Sequence, residues 1–180
     1  AFTGDFVFVG DVGRPDLLPD TPGQQIPLYV TGGDTVAGMN LRVFFADGGP
    51  VAGGSITGPA ITHIDVATST IFAGEIDTND DTDGPSDSIP QFEGRDVVVT
   101  DTVDADGLLA TITIDTTGFT EPQTWDLHLA VGAGQTTFPT SSGDLFPDIT
   151  PGTITIVPEP ATMTVLGVLA IAGFRRRSRG

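Results

Sequence analysis

The sequence predicts an all-β protein: a single jelly-roll or immunoglobulin-like β-sandwich of about nine strands, followed by a short C-terminal hydrophobic helix. Three observations carry this. Short runs rich in Val, Ile, Thr and Phe recur between clusters of Gly, Pro and Asp, the spacing of strands joined by turns. Several of these runs alternate apolar and polar residues with period two. No run at helical spacing precedes the last twenty or so residues.

The predicted strands, in chain order, cover residues 5–9, 26–31, 40–46, 61–66, 70–73, 96–102, 108–115, 124–131 and 153–157. In the third, Leu41, Val43 and Phe45 share one face. In the eighth, Trp125, Leu127, Leu129 and Val131 share one face while Asp126 and His128 share the other. Ile26, Leu28 and Val30 supply a matching inward set, as do Ala110, Ile112 and Ile114. Trp125, the only Trp of the chain, is expected to anchor the core rather than form a ligand platform. Asp101, Asp104 and Asp106-Gly107 suit a hairpin turn.

Charge narrows the partners. The chain carries 24 acidic residues against seven Arg and no Lys. Four of the Arg fall in the last six residues, so residues 1–157 hold only Arg14, Arg42 and Arg95 against 23 carboxylates, a formal charge near −20. Nucleic acid is excluded as a partner on that balance. Cations, basic surfaces and simple solubility all fit it. With no cysteine there is no disulfide, and no thiol to serve as nucleophile or soft metal ligand. The start at Ala1-Phe2, without Met or an apolar leader, suits a mature exported chain.

The densest acidic stretch runs from Asp77 to Asp87, where the sequence predicts a loop. Read from Asn79, it places Asn79, Asp81, Asp83, Gly84 and Asp87 at positions one, three, five, six and nine, the order of hard oxygen ligands in a calcium loop. Position twelve is Pro90, where a bidentate carboxylate belongs, and Glu93 supplies one only if the loop bends back. Asn79, Asp81, Asp83 and Asp87 are therefore candidate Ca2+ ligands. A solvated loop is the competing reading.

The C-terminal segment has three parts in order. Pro158, Glu159 and Pro160 end the preceding strand, because each Pro fixes its own backbone and pushes its predecessor towards extended conformations. Residues 161–174 form 14 uncharged, apolar or small positions, a helix of about 21 Å against a hydrocarbon core of about 30 Å. Arg175, Arg176, Arg177 and Arg179 follow; their stems extend the span and hold that end in the cytoplasm. A buried C-terminal helix is the alternative.

This ordered combination resembles the PEP-CTERM sorting signal of Gram-negative bacteria. The resemblance implies that exosortase, a membrane transpeptidase-like enzyme, recognises Pro158, Glu159 and Pro160. It also implies a route through the inner membrane, held there transiently by the C-terminal helix, to the cell surface or extracellular space, often in producers of exopolysaccharide. The division is then an extracellular domain, residues 1–157, and a sorting signal, residues 158–180, with membrane helix 161–174 and Arg-rich tail 175–180. Within the domain, residues 26–31 (Ile-Pro-Leu-Tyr-Val-Thr), 36–43 (Val-Ala-Gly-Met-Asn-Leu-Arg-Val), 105–115 and 124–129 resemble cohesin-like domains, nine-stranded sandwiches used in extracellular adhesion.

Catalytic signals are sparse. His63 and His128 are the only histidines, no Gly-x-Ser-x-Gly occurs, and the absence of Lys removes the phosphate-binding Gly-Lys-Ser/Thr loop. The expectation is a non-enzymatic adhesion or structural protein whose partner is an exopolysaccharide or surface protein, with calcium in support. The alternative is a secreted carbohydrate-binding module or carbohydrate-active enzyme, against which one Trp and one Tyr are few aromatics for stacking sugars.

Overall fold

The computed structural model describes residues 5–8, 16–45, 58–83, 91–130, 135–150 and 152–157. In chain order the strands are β1 (Asp5–Phe8), β2 (Asp16–Leu17), β3 (Gln24–Val30), β4 (Thr35–Phe45), β5 (Ala60–Asp65), β6 (Ile76–Asp83) and β7 (Phe92–Asp104). They continue with β8 (Gly107–Asp115), β9 (Gln123–Leu129), β10 (Phe138–Thr140), β11 (Gly143–Leu145), β12 (Asp148–Thr150) and β13 (Gly152–Ile156). One sheet has the order β12-β1-β3-β8-β5, a second β2-β13-β9-β4-β7-β6, and β10 and β11 form a separate hairpin.

The two large sheets meet through the residues that alternation points inward. Ile26, Leu28 and Val30 of β3 and Ala110, Ile112 and Ile114 of β8 are buried from one side. Leu41, Val43 and Phe45 of β4, Leu127 and Leu129 of β9, and Ile154 and Ile156 of β13 are buried from the other, and all belong to one core. Removing such side chains from water is the main favourable term, about 1.5–3 kcal/mol for each large one. Trp125 is a core residue: Phe119 meets it edge-on at 5.4 Å, and Gly58 packs so closely that a Cβ there would lie 3.2 Å from the indole.

One irregularity sets the register at the centre. Val36 pairs with Val103 whereas Gly38 pairs with Val98, so two steps along β4 face five along β7. There β7 turns away towards its other side, and the Thr100 amide donates to the Glu75 carbonyl at 2.7 Å. The detour brings the backbones so close that a Cβ at Gly38 would overlap the Val97 carbonyl oxygen.

A second fixed point joins the sheets at their corner. The buried Thr116 hydroxyl lies 2.8 Å from the Leu18 carbonyl and 2.9 Å from that of Thr21, which share its proton. It also accepts from the Thr21 amide and the Gln24 side chain, both at 3.0 Å. Four part-buried polar groups are thereby satisfied by one side chain.

Most expected strands are present; β4 is longer than expected because it continues past the register shift, and β7 is longer at both ends. Two expectations are corrected. Residues 70–73 are turns, not a strand: Thr70 bonds the Val66 carbonyl and accepts from the Phe72 amide, and Ala73 donates to the Thr70 carbonyl. Hydroxyls bonding nearby backbone outcompete a ladder there, and Phe72 alone drops fully into the core. Residues 77–83, expected in a loop, belong to β6, an edge strand that covers β7. Carboxylates along an exposed edge discourage pairing with another chain. Strand β2 and the short β10, β11 and β12 were not expected. The helix expected at 161–174 lies outside the described residues.

Two turns are held by carboxylates. Asp65 accepts from the amides of Ala67 and Thr68 at 2.8 and 3.0 Å, and Asp115 from that of Thr117 at 2.8 Å. Bonds from the side chain of Thr68 foremost, and from that of Thr117 in the second turn, hold both carboxyls below the ordinary Asp range. A group whose folded-state pKa is lowered stabilises the fold above its unfolded value and loses that contribution as pH falls through the folded one. Urea titrations of Asp65→Asn and Asp115→Asn should therefore show the gap from the parent at neutral pH and its closure below about pH 4. Gly38→Ala should cost at least ~2 kcal/mol in the same assay, since a backbone oxygen has to move.

Candidate functional site

Two places gather chemistry-bearing side chains: a buried polar cluster between the sheets and the outer face of the six-stranded sheet.

The cluster is built by β7 and the strand facing it, β5. Glu93 and Arg95 point inward with Val97, and Glu93 is fully buried. Arg95 Nη2 stands 3.7 Å from Glu93 Oε1 and 3.3 Å from Nδ1 of the exposed His63. Nearby, Gln91 Nε2 donates to the Gly58 carbonyl at 3.0 Å. The positive guanidinium thus sits between a carboxylate with no access to water and a histidine at the rim. A buried pair of this kind adds little over an apolar core but is costly to break, because one charge is then stranded. In denaturant unfolding Arg95→Met should cost about 3–5 kcal/mol, and Glu93→Gln combined with Arg95→Met should recover much of that loss.

The outer face is built by alternation. With Leu41, Val43 and Phe45 committed inward, Asn40, Arg42 and Phe44 of β4 must point out. Strand pairing sets Phe44 beside His128 of β9, and their rings stack at 5.3 Å with an interplanar angle of 18°. Next along the sheet, Arg42 reaches Asp96 of β7 through two contacts, Nη1–Oδ1 at 2.8 Å and Nη2–Oδ2 at 3.4 Å. Further on, Val98 is 49% exposed, with Thr78 opposite it and Asp80 opposite Asp96 on β6. Asp126 lies on the same face, 3.9 Å from His128 Nε2. The result is a surface with an aromatic pair, a central ion pair, an exposed valine and an acidic border.

Both described arginines of the domain are spent inside such pairs, with side chains 12% (Arg42) and 9% (Arg95) exposed. Among the described residues the charge shown to solvent is therefore almost wholly carboxylate.

Of the four candidate calcium ligands, Asn79, Asp81 and Asp83 lie on β6, Asn79 opposite Val97 and Asp81 opposite Arg95; Asp87 lies outside the described residues. Extended, paired backbone spaces alternate residues about 7 Å apart and does not wrap them around an ion as a calcium loop does. Glu93 is turned into the core, away from that edge. Among the described residues no three His, Asp or Glu form a group able to hold a metal ion. The sorting residues Pro158, Glu159 and Pro160 and the basic Arg175, Arg176, Arg177 and Arg179 also lie outside the described residues. What is described is their approach: β13 delivers the chain to Val157, whose amide donates to the Leu17 carbonyl at 3.0 Å.

Of the outer-face residues, Asp126 and His128 were placed opposite the core by the sequence pattern, whereas the Phe44–His128 stack and the Arg42–Asp96 pair were not foreseen. The available signal was an aromatic at the outward phase of an alternating strand, Phe44 between Val43 and Phe45.

Comparison with known proteins bears on both ends of the chain. Residues 157–178 match the PEP-CTERM protein-sorting motif. No curated protein matches the sequence. Among solved structures the fold is similar to a non-cellulosomal cohesin from the hyperthermophilic archaeon Archaeoglobus fulgidus, with a TM-score of 0.55 and 11% identity over 90% of this chain and 95% of that one. It is also similar to a chain of a type I cohesin–dockerin complex from Clostridium thermocellum, with a TM-score of 0.56 and 11% identity over 88% and 96% of the two chains. The chain thus carries a PEP-CTERM sorting motif behind a β-sandwich whose structural neighbours are cohesins.

Proposed function

We propose that this chain is an exported bacterial protein of the cell surface or extracellular matrix. Its tail is recognised by exosortase, and its sandwich works without catalysis by binding another macromolecule. The observation that carries this reading is the sorting motif at residues 157–178 joined to a cohesin-like sandwich. In the division we propose, residues 1–157 act outside the cell and residues 158–180 are the signal. Residues 161–174 cross the inner membrane transiently, with Arg175, Arg176, Arg177 and Arg179 on the cytoplasmic side.

The outer face of the six-stranded sheet is the binding surface in this reading. Binding faces of proteins combine aromatic and Arg side chains at the centre with a polar rim, and the row from His128 and Phe44 through Arg42 to Val98 has that make-up. One of the structural neighbours was solved with a dockerin bound. The acidic border favours a partner with basic groups, a surface protein ahead of an exopolysaccharide.

A carbohydrate-binding or carbohydrate-active role is the second reading. A glycan array with a hydrolysis assay separates the two: adhesion to a surface protein expects neither a strong sugar ligand nor hydrolysis, strong sugar binding would move the partner to a glycan, and hydrolysis would remove the adhesion reading. Calcium support from Asn79, Asp81, Asp83 and Asp87 is proposed on their density of oxygens alone. It requires calcium to raise the unfolding midpoint beyond sodium chloride of equal ionic strength, and an equal rise reduces the effect to charge screening.

The sorting reading has a direct assay. In an exosortase-positive host, a reporter fused to residues 153–180 should be processed, and Pro158→Ala or Glu159→Ala should lower the processed fraction severalfold. Unchanged processing in both variants rejects the assignment.

A further inference from the structure

The junction between the domain and the tail has no spacer. Strand β13 is an interior strand, paired antiparallel with β9 over all five of its residues and parallel with β2 at Thr155 and Ile156. Ile154 and Ile156 are buried in the core, with exposures of 1% and 0%. The next residue, Val157, still donates its amide to Leu17, yet it is already the first residue of the matched sorting motif. The motif therefore begins inside the hydrogen-bond network of the sheet.

Distance and bonding both follow. An extended chain advances at most about 3.6 Å per residue, so Ala161 lies within about 18 Å of the buried Ile156. An enzyme acting at Pro158-Glu159-Pro160 meets the folded domain at once. Enzymes and receptors that bind extended segments do so through backbone amides and carbonyls. Those of Thr155 and Ile156 are engaged by β9 on one side and β2 on the other.

From this we propose that docking of β13 into the sheet controls how fast the tail is processed. A docked strand keeps the processing enzyme from the residues ahead of Pro158, so cleavage proceeds from molecules whose β13 has not yet docked or has peeled away. The control is built into the core, because the strand that completes the sandwich is also the flank of the processing site. This inference rests on the reading of the tail as an exosortase substrate.

Pulse-chase of the full chain in an exosortase-positive host tests it. A Gly-Ser spacer of about twelve residues inserted between Ile156 and Val157 leaves both β13 and the matched motif intact. The spacer chain should be processed about tenfold faster than the parent, a factor equivalent to ~1.4 kcal/mol of strand docking. Ile154→Ala, which loosens β13, should speed processing of the parent and leave the spacer chain unchanged. Should Ile154→Ala fail to fold, the spacer comparison alone decides. Equal rates with and without the spacer overturn the proposal while the sorting reading stands. Absence of processing in both chains overturns the sorting reading, and the proposal with it.

Discussion

The close pairing of β4 with β7 is the constraint on which the rest depends. These are the two longest strands, and they lie side by side in the six-stranded sheet. Their inward residues join those of β9 and β13 in that sheet's share of the core, and their outward residues form much of the candidate binding face. The side-chain period of a strand is two, so a slip of one residue would exchange the two sets. Gly38 holds the register by allowing a backbone approach that no other residue permits. Core and surface are thus specified by one event, and neither can be altered at that point without the other.

The same pairing explains the handling of charge. A domain this acidic has few cations with which to offset its carboxylates, and it places two of them in the same sheet, one on each face. Arg42 secures Asp96 outside and Arg95 accompanies Glu93 inside. Ion pairs of this sort contribute less net stability than their Coulomb attraction implies, but they fix geometry: the first joins β4 to β7 on the outer face, and the second ties the six-stranded sheet to His63 on the edge of the other. The remaining carboxylates repel one another across the surface, a tension relieved by salt.

How much of this was legible depended on range. Alternation is a local signal, and it identified the inward faces of β3, β4, β8 and β9 because a buried face leaves period two in the residues themselves. Strand β6 was hidden because its Asp, Asn and Thr residues have the composition of a turn, and its extended form is imposed by pairing with β7, the next strand in the chain. Residues 70–73 misled in the opposite sense, since Thr and Ile favour strands until hydroxyls find local carbonyls. The buried Glu93 was unreadable for a similar reason: its partner Arg95 is close in sequence, but its burial is created by β5. The tail needed no tertiary context, as Pro-Glu-Pro, the apolar run and the arginines are meaningful in order alone.

The environment of Trp125 has a practical consequence. It is the chain's single indole, and it sits on β9 directly opposite Ile154 of β13, capped by Phe119 and pressed against Gly58. Its emission therefore comes from one site, beside the last of the described strands. Loss of that strand would admit water to the ring and move the fluorescence to longer wavelength, so the native protein carries its own optical gauge of whether its C-terminal strand is seated.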